Sequence, residues 1–518
     1  MPSEPPVWLK ELANREPPEN LAAPVKKSTG RRPLSTLQIL VLAILGLLLC
    51  GICAGTSLLI WQNQPALTGL TTGSQPTPTA PPAPPATPEL LAAATGSPAP
   101  RPTATSMLPQ ATATRQPTAT ATYAVAPEFI NKDKIRDITK FVEQWRELEL
   151  PEKLPIEFVT RPQLRELWRD QAYEAETLTA VQTQQEFYKA LGLLQPDVDL
   201  LEAAFESQMS QMMGYYTPED KSLVIIAESV NMFANEEMTF AHEYTHALQD
   251  HHFDLSRIFN TNLSGDALLA ARSLPEGDAR LVEDLFTLEN ITQDQLDYSV
   301  YRYLFNEQPA KLDGVSPALG IFTFFPYTAG EYFSIYLYIS GGFTWDMVNR
   351  AYANPPLSTE QVMHPEKYLA GEKPVAVKIP DCTDALGIEW REVDRDVLGE
   401  AGFLVWLIDQ VEPDTAIDGA AGWDGDTYSL WLDNHGQRIV AESSIWESSR
   451  DAAEFAEAFK QYVAGRENAY HQFEENGLTF FEYNGGAILL KQAGRKVLLI
   501  IAPNRNLLYS VRNQFTDF

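Results

Sequence analysis

The chain has 518 residues, with 69 acidic against 39 basic side chains, a formal net charge of −30 and only three cysteines. That length suffices for two or three domains, each with its own core. The acidic balance excludes nucleic acid as a partner, because phosphate binding needs clustered Lys and Arg. Cys50 and Cys53 fall in an apolar run and Cys382 stands alone, so no intrachain disulfide framework braces the remainder.

In chain order, residues 1–34 form a polar tail carrying Lys26, Lys27, Arg31 and Arg32, followed by an apolar run from Leu37 to Trp61 without a charged residue. A helix of such a length spans about 37 Å, enough to cross a hydrocarbon core of about 30 Å with some tilt. The run is too long, and too far from the N-terminus, for a cleaved signal peptide. A single transmembrane helix over 35–61 is therefore expected. The positive-inside rule puts the tail in the cytoplasm and all that follows outside, at the cell membrane. Residues 62–127, rich in Pro, Thr and Ala as in TPTAPPAPPATP, cannot bury a core and predict a disordered stalk.

From residue 128 the composition becomes globular. Ile135, Ile138, Val142, Trp145 and Leu148 recur at helical spacing, LPIEFVT predicts a strand, and helical patterns follow at about 161–171, 176–192 and 197–212. GYYTPEDKSLVIIA predicts a hairpin about Thr217–Asp220.

Next comes His242-Glu243-Tyr244-Thr245-His246, and four of the seven histidines (His242, His246, His251, His252) lie within eleven residues. On a helix, residues four apart share a face, about 6 Å apart along the axis, so both imidazoles can reach one ion with Glu243 to one side of it. Asn235 offers an N-cap, Glu236 and Glu237 suit the first turn, and Ala241, Tyr244 and Leu248 supply an apolar face. His252, six residues beyond His246, has the spacing of a third histidine ligand in H-E-x-x-H-x-x-G-x-x-H, although the glycine position holds Gln249. Glu276 is the other candidate, while Ser273–Glu276 also fits a helix-start capping box.

The predicted strand, HEYTHALQD and the later Leu274-Pro275-Glu276-Gly277-Asp278-Ala279 together resemble the zincin metallopeptidases, specifically the gluzincin branch in its bacterial membrane-anchored form. The resemblance covers about 215–290 and extends over 128–380. It implies a zincin-like domain with an active-site helix beside a mixed or antiparallel sheet, and a strand edge at Leu223–Ala227 or its partner that aligns a peptide substrate. It also implies one Zn2+ per chain on His242, His246 and Glu276, with Glu243 as general base. Such enzymes place an aspartate four residues after the ligand glutamate to orient the first histidine. Here that position is Arg280, and Asp250 and Asp278 are the substitutes within reach. Oxyanion stabilisation needs a further donor, for which His364, Tyr368 and Tyr327 are candidates. Phe325-Pro326-Tyr327 is expected to precede a helix ending at Gly341-Gly342.

Residues 381–518 predict a second α+β unit. Its strands are TYSLWLD and QRIVAESSIW about Asn434-His435-Gly436, its helix DAAEFAEAFKQYV, and further strands lie in FFEYNGGAILLKQAGRKVLLIIA. Trp423-Asp424-Gly425-Asp426 is expected to be a plain turn, since calcium-loop spacing is missing. The expectation for the whole is an α+β, membrane-anchored, extracytoplasmic zinc endopeptidase acting on peptides or proteins. The alternatives are an inactive zincin-like binding or sensor ectodomain and a metal-dependent amidase of a cell-wall component.

Overall fold

A computed structural model of the chain describes residues 132–518 apart from 173–174, 219, 227–231, 259–262, 297–312, 467–470, 476 and 484. The expected tail, transmembrane helix and stalk lie outside the described residues. Among the described residues, no helix is long and apolar enough to cross a membrane.

The described residues form an α+β fold with two sheets. Helix α1 (Lys132–Arg146) leads into β1 (Ile156–Val159), then α2 (Arg161–Ala172), α3 (Ala175–Leu191), α4 (Leu200–Gln211) and the hairpin β2 (Gly214–Thr217) and β3 (Ser222–Ile226). In this small sheet β3 is central, parallel to β1 and antiparallel to β2. Strand β3 is apolar from Leu223 to Ile226 because both its faces are covered. Leu223 and Ile225 join the core under the histidine motif, whereas Val224 and Ile226 pack with Leu164, Phe205 and Met209.

Four helices frame the motif: α5 (Ala234–Phe253), α6 (Gly265–Asn290), α7 (Leu319–Ser340) and α8 (Asp346–Ala351). The expected apolar face of α5 is buried at Ala241, Tyr244 and Leu248. Its start differs from expectation. Phe233, not Asn235, is the N-cap, because the Glu236 carboxylate reaches back to accept the Phe233 N–H at 3.0 Å. Ser264 caps α6, which runs straight through Pro275, so Ser273–Glu276 is no helix start. Likewise α7 begins before Pro326 and includes it, placing Tyr327 within the helix.

Helices α6 and α7 touch at their backbones. A Cβ added at Gly277 would lie 1.9 Å from the Gly330 carbonyl oxygen, and one at Gly330 would lie 2.1 Å from that of Ser273. Only glycine at both positions allows this approach.

Beyond α8 come the short helices α9 (Thr359–Met363), α10 (Pro365–Ala370) and α11 (Thr383–Leu386), then β4 (Arg391–Asp396), α12 (Gly399–Ile408), α13 (Pro413–Ala420), β5 (Trp423–Leu432) and β6 (Arg438–Trp446). Helix α14 (Ser449–Gly465), β7 (His471–Glu475), β8 (Leu478–Tyr483), β9 (Gly486–Ala493), β10 (Lys496–Ala502) and α15 (Arg505–Arg512) complete the chain. The second sheet is antiparallel in the order β4-β5-β6-β10-β9-β8-β7. Both faces are covered, which explains the unbroken apolar run of β10. Val497, Leu499 and Ile501 meet Phe403, Trp406, Phe455 and Phe459, while Leu498 and Ile500 meet Leu508 and Val511. The first of these cores also takes in Phe187, Tyr188 and Leu191 of α3, so it is shared across position 380. Trp423–Asp426 is not a turn but the bulged start of β5, shaped by the burial of Trp423 and by Asp426, which accepts the Leu398 and Gly399 N–H groups at 2.9 Å each. Cys382 is a free, buried thiol.

The two parts meet at the N-terminus of α6. Asp396, at the end of β4, accepts the Gly265 N–H at 2.9 and 3.0 Å on its two oxygens, and Thr359, whose N–H and hydroxyl donate to Asp266 at 3.1 and 2.6 Å, accepts the Ala401 N–H at 3.1 Å.

Candidate metal centre

Contact between α5 and α6 brings three acceptor atoms together. His242 Nε2 lies 3.1 Å from His246 Nε2 and 3.2 Å from Glu276 Oε2, and His246 Nε2 lies 3.3 Å from the same oxygen. Ligands held about 2.0–2.1 Å from a tetrahedral zinc stand about 3.3–3.4 Å apart. The three edges therefore match the face of a zinc tetrahedron, and two imidazoles with one carboxylate are a common zinc donor set.

The outer ring nitrogens are occupied. His242 Nδ1 is 3.1 Å from Glu283 Oε2, two turns beyond Glu276 on α6. Glu283 is itself held by Arg280, whose Nη1 is 2.6 Å from its other oxygen. His246 Nδ1 is 2.8 Å from Gln249 Oε1. Burial disfavours protonation of His242, but its bonds to Glu276 and Glu283 and the charge of Glu243 outweigh burial and raise its pKa to about 10. Burial also opposes ionisation of Glu276, yet the His246 and His242 rings override it and hold the carboxyl well below the usual range. With Nδ1 of both rings engaged outward, the centre is a place where positive charge is favoured.

Glu243 stands beside the cluster, its Oε2 accepting the outward-facing N–H of Tyr216 on β2 at 2.9 Å. Burial raises its pKa, opposed by the nearby His246 and His242. The Tyr327 ring lies 5.9 Å from that of His242, at an interplanar angle of 31°. The charge of Glu276 lifts its phenol well above the ordinary value, although the ring is partly exposed.

The remaining expected residues sit elsewhere. Helix α5 continues through Phe253, so six residues past His246 turn His252 roughly 240° around the axis. Its Nε2 is exposed and 3.0 Å from the Glu149 carbonyl oxygen. His364 is taken up by Glu400, with Nε2 3.0 Å from Oε1, and Tyr368 donates to the Asn354 carbonyl at 2.8 Å. Both are drawn away because α9 packs on α12 and the Tyr368 ring packs on Phe333. Asp278 does not orient a histidine. It is buried and forked onto Arg146 at 2.7 and 3.0 Å, and also accepts the Tyr352 hydroxyl at 2.6 Å. Asp250 accepts from the Tyr216 hydroxyl (2.9 Å), Lys221 (2.7 Å) and the Leu255 N–H (3.1 Å), tying the hairpin to the end of α5.

Glu283 and Gln249 were missed as partners of the histidines. The available signal was helical spacing, since Glu283 follows Glu276 by two turns and Gln249 follows His246 by about one. Among the described residues, a second acidic group, Glu360, Glu372 and Glu447, also converges, but the Lys367 ammonium lies among its carboxylates, 2.5 Å from Glu360 and 3.6 Å from Glu372.

Residues 387–512 match a family described as Domain of unknown function (DUF8575), a stretch that begins after the last residue of the cluster. No curated protein matches the chain. Among solved structures it is similar to a Chloroflexus aurantiacus protein described as a candidate hydrolase with a novel fold. That similarity is at 16% identity and a TM-score of 0.27, over 46% of this chain and 87% of that one. A likeness so distant carries no inference about chemistry.

Proposed function

We propose that this chain is a zinc-dependent endopeptidase of gluzincin type, anchored by one N-terminal helix with its catalytic part outside the cytoplasm. One observation carries the reading: His242 Nε2, His246 Nε2 and Glu276 Oε2 converge at 3.1–3.3 Å while the outer nitrogens of both rings are engaged elsewhere. His242, His246 and Glu276 hold one zinc ion per chain. Zinc supplies a Lewis acid that polarises a scissile carbonyl and lowers the pKa of water.

Glu243 takes the proton of the attacking water and returns it to the leaving amine. The Tyr216 N–H fixes one of its oxygens and leaves the other for this transfer. Tyr327 is the donor to the developing oxyanion, a role supported by its ring lying beside that of His242. An extended substrate lies along β2, which of the two edge strands of the small sheet is the one bonded to Glu243. The charge-free run of 37–61 with its basic flank supports the membrane anchor.

The test is elemental analysis and casein hydrolysis on the detergent-solubilised full chain. The parent is expected to hold one zinc, Glu276→Ala to lose it and His252→Ala to retain it. Glu243→Gln keeps zinc and loses hydrolysis by about 10²–10⁴-fold. Parental casein cleavage by Glu243→Gln rejects the mechanism, and zinc loss confined to His252→Ala rejects the ligand set.

A further inference from the structure

Gln249 is fully buried on α5, three residues past His246, and its carboxamide makes two bonds. Oε1 lies 2.8 Å from His246 Nδ1, and Nε2 donates to the Pro275 carbonyl oxygen at 3.0 Å. A carbonyl can only accept, so the amide nitrogen must face Pro275 and the amide oxygen must face the histidine. An amide oxygen carries no hydrogen, so the proton of the neutral imidazole must reside on Nδ1. The lone pair of His246 Nε2 is thereby left pointing at His242 and Glu276. The second bond ends on the residue immediately before Glu276.

We propose that Gln249 is a positioning residue for the metal. It imposes the metal-binding tautomer on His246 and fastens that ring to the turn of α6 that presents Glu276, so ligands on two different helices keep one separation. This rests on the zinc reading above. The partner of His242, Glu283, acts differently: it is an anion clamped by Arg280 that reaches from α6 to the ring through its side chain. Gln249 alone among the two ties a ligand on α5 to the backbone of α6.

The two bonds can be separated by substitution. Gln249→Met fills the space and makes neither bond. Gln249→Glu keeps an acceptor for Nδ1 but offers Pro275 no donor. The experiment uses the full chain, measuring zinc affinity by competition with a chromogenic chelator and the visible spectrum of the Co2+-substituted protein. Loss of a group that orients a ligand histidine typically weakens metal binding 10–100-fold. Gln249→Met is expected to fall in that range with an altered Co2+ spectrum, and Gln249→Glu between it and the parent. A merely structural glutamine would lower the melting temperature and leave both metal readouts unchanged.

Parental zinc affinity and Co2+ spectrum in Gln249→Met overturn the inference while leaving the zinc reading standing. Should that variant fail to fold, the isosteric Gln249→Glu carries the comparison, and parental affinity there overturns the tie to α6. A parent that binds no zinc defeats the zinc reading and the inference with it.

Discussion

Gly277→Ala tests the helix crossing on which the candidate metal centre depends. The added Cβ would start 1.9 Å from the Gly330 carbonyl oxygen, against a closest approach of 3.0 Å for real Cβ contacts, so α6 and α7 must separate by at least about 1.1 Å. Neither side can yield by rotating a side chain, because the obstacle is backbone. Overpacking of this kind costs about 1–3 kcal/mol, a fall of a few degrees in melting temperature. Glu276 adjoins the substitution, and Tyr327 is three residues from the other side of the contact. Misplacement near 1 Å at a reacting centre lowers rates on the order of 100-fold, and zinc affinity should fall at least about tenfold. Scanning fluorimetry with and without zinc, plus chelator competition, measures both effects. Gly320→Ala on α7 is the control, since its Cβ meets nothing within 4 Å, and it should be neutral or slightly stabilising. A Gly277→Ala protein with parental melting temperature and zinc affinity would refute the close crossing.

Two further outcomes follow from the charge arrangement. Glu283→Ala removes the acceptor at His242 Nδ1 and leaves Arg280 without its 2.6 Å partner. Zinc affinity should drop about 10–100-fold, with Glu283→Gln affected less because an acceptor remains. Chelator competition decides, and an unchanged constant in the alanine variant counts against the role. At the junction of the two parts, burial followed by Asp394 and Asp426 raises Asp396 to about 7, opposed by its bonds from Gly265 and Val397. A carboxyl whose folded pKa is raised favours the fold while protonated, so its contribution declines as pH climbs from about 4 to about 7, by roughly 4 kcal/mol for a shift of about three units. Asp396→Asn abolishes that titration, so its melting temperature should gain on the parent between pH 5 and pH 8. A difference independent of pH would show that Asp396 is not the titrating group.

The local features were legible because they depend on near neighbours. The spacing of His242 and His246 places both rings on one helical face whatever surrounds them. The same periodicity, once Gln249 rather than glycine follows the motif, swings His252 off that face. The strands about Asn434-His435-Gly436 and the apolar run of β10 likewise announce themselves through turn chemistry and burial. Pro275 and Pro326 misled the reading, since proline marks a helix boundary on average, and here the packing of α6 on α7 carries both helices through it.

What only the tertiary structure decided was which distant side chains meet. Glu276 joins the histidines because α6 lies against α5, Tyr327 rather than His364 or Tyr368 stands beside His242 because Gly277 and Gly330 let α7 approach, and Asp278 is spent on Arg146. The orienting carboxylate moved from the expected position to Glu283 because Arg280 occupies that site and holds the glutamate in place. Contacts of this kind join residues far apart in the chain, and their choice rests on helix crossings and buried volume, which no local pattern of residues encodes.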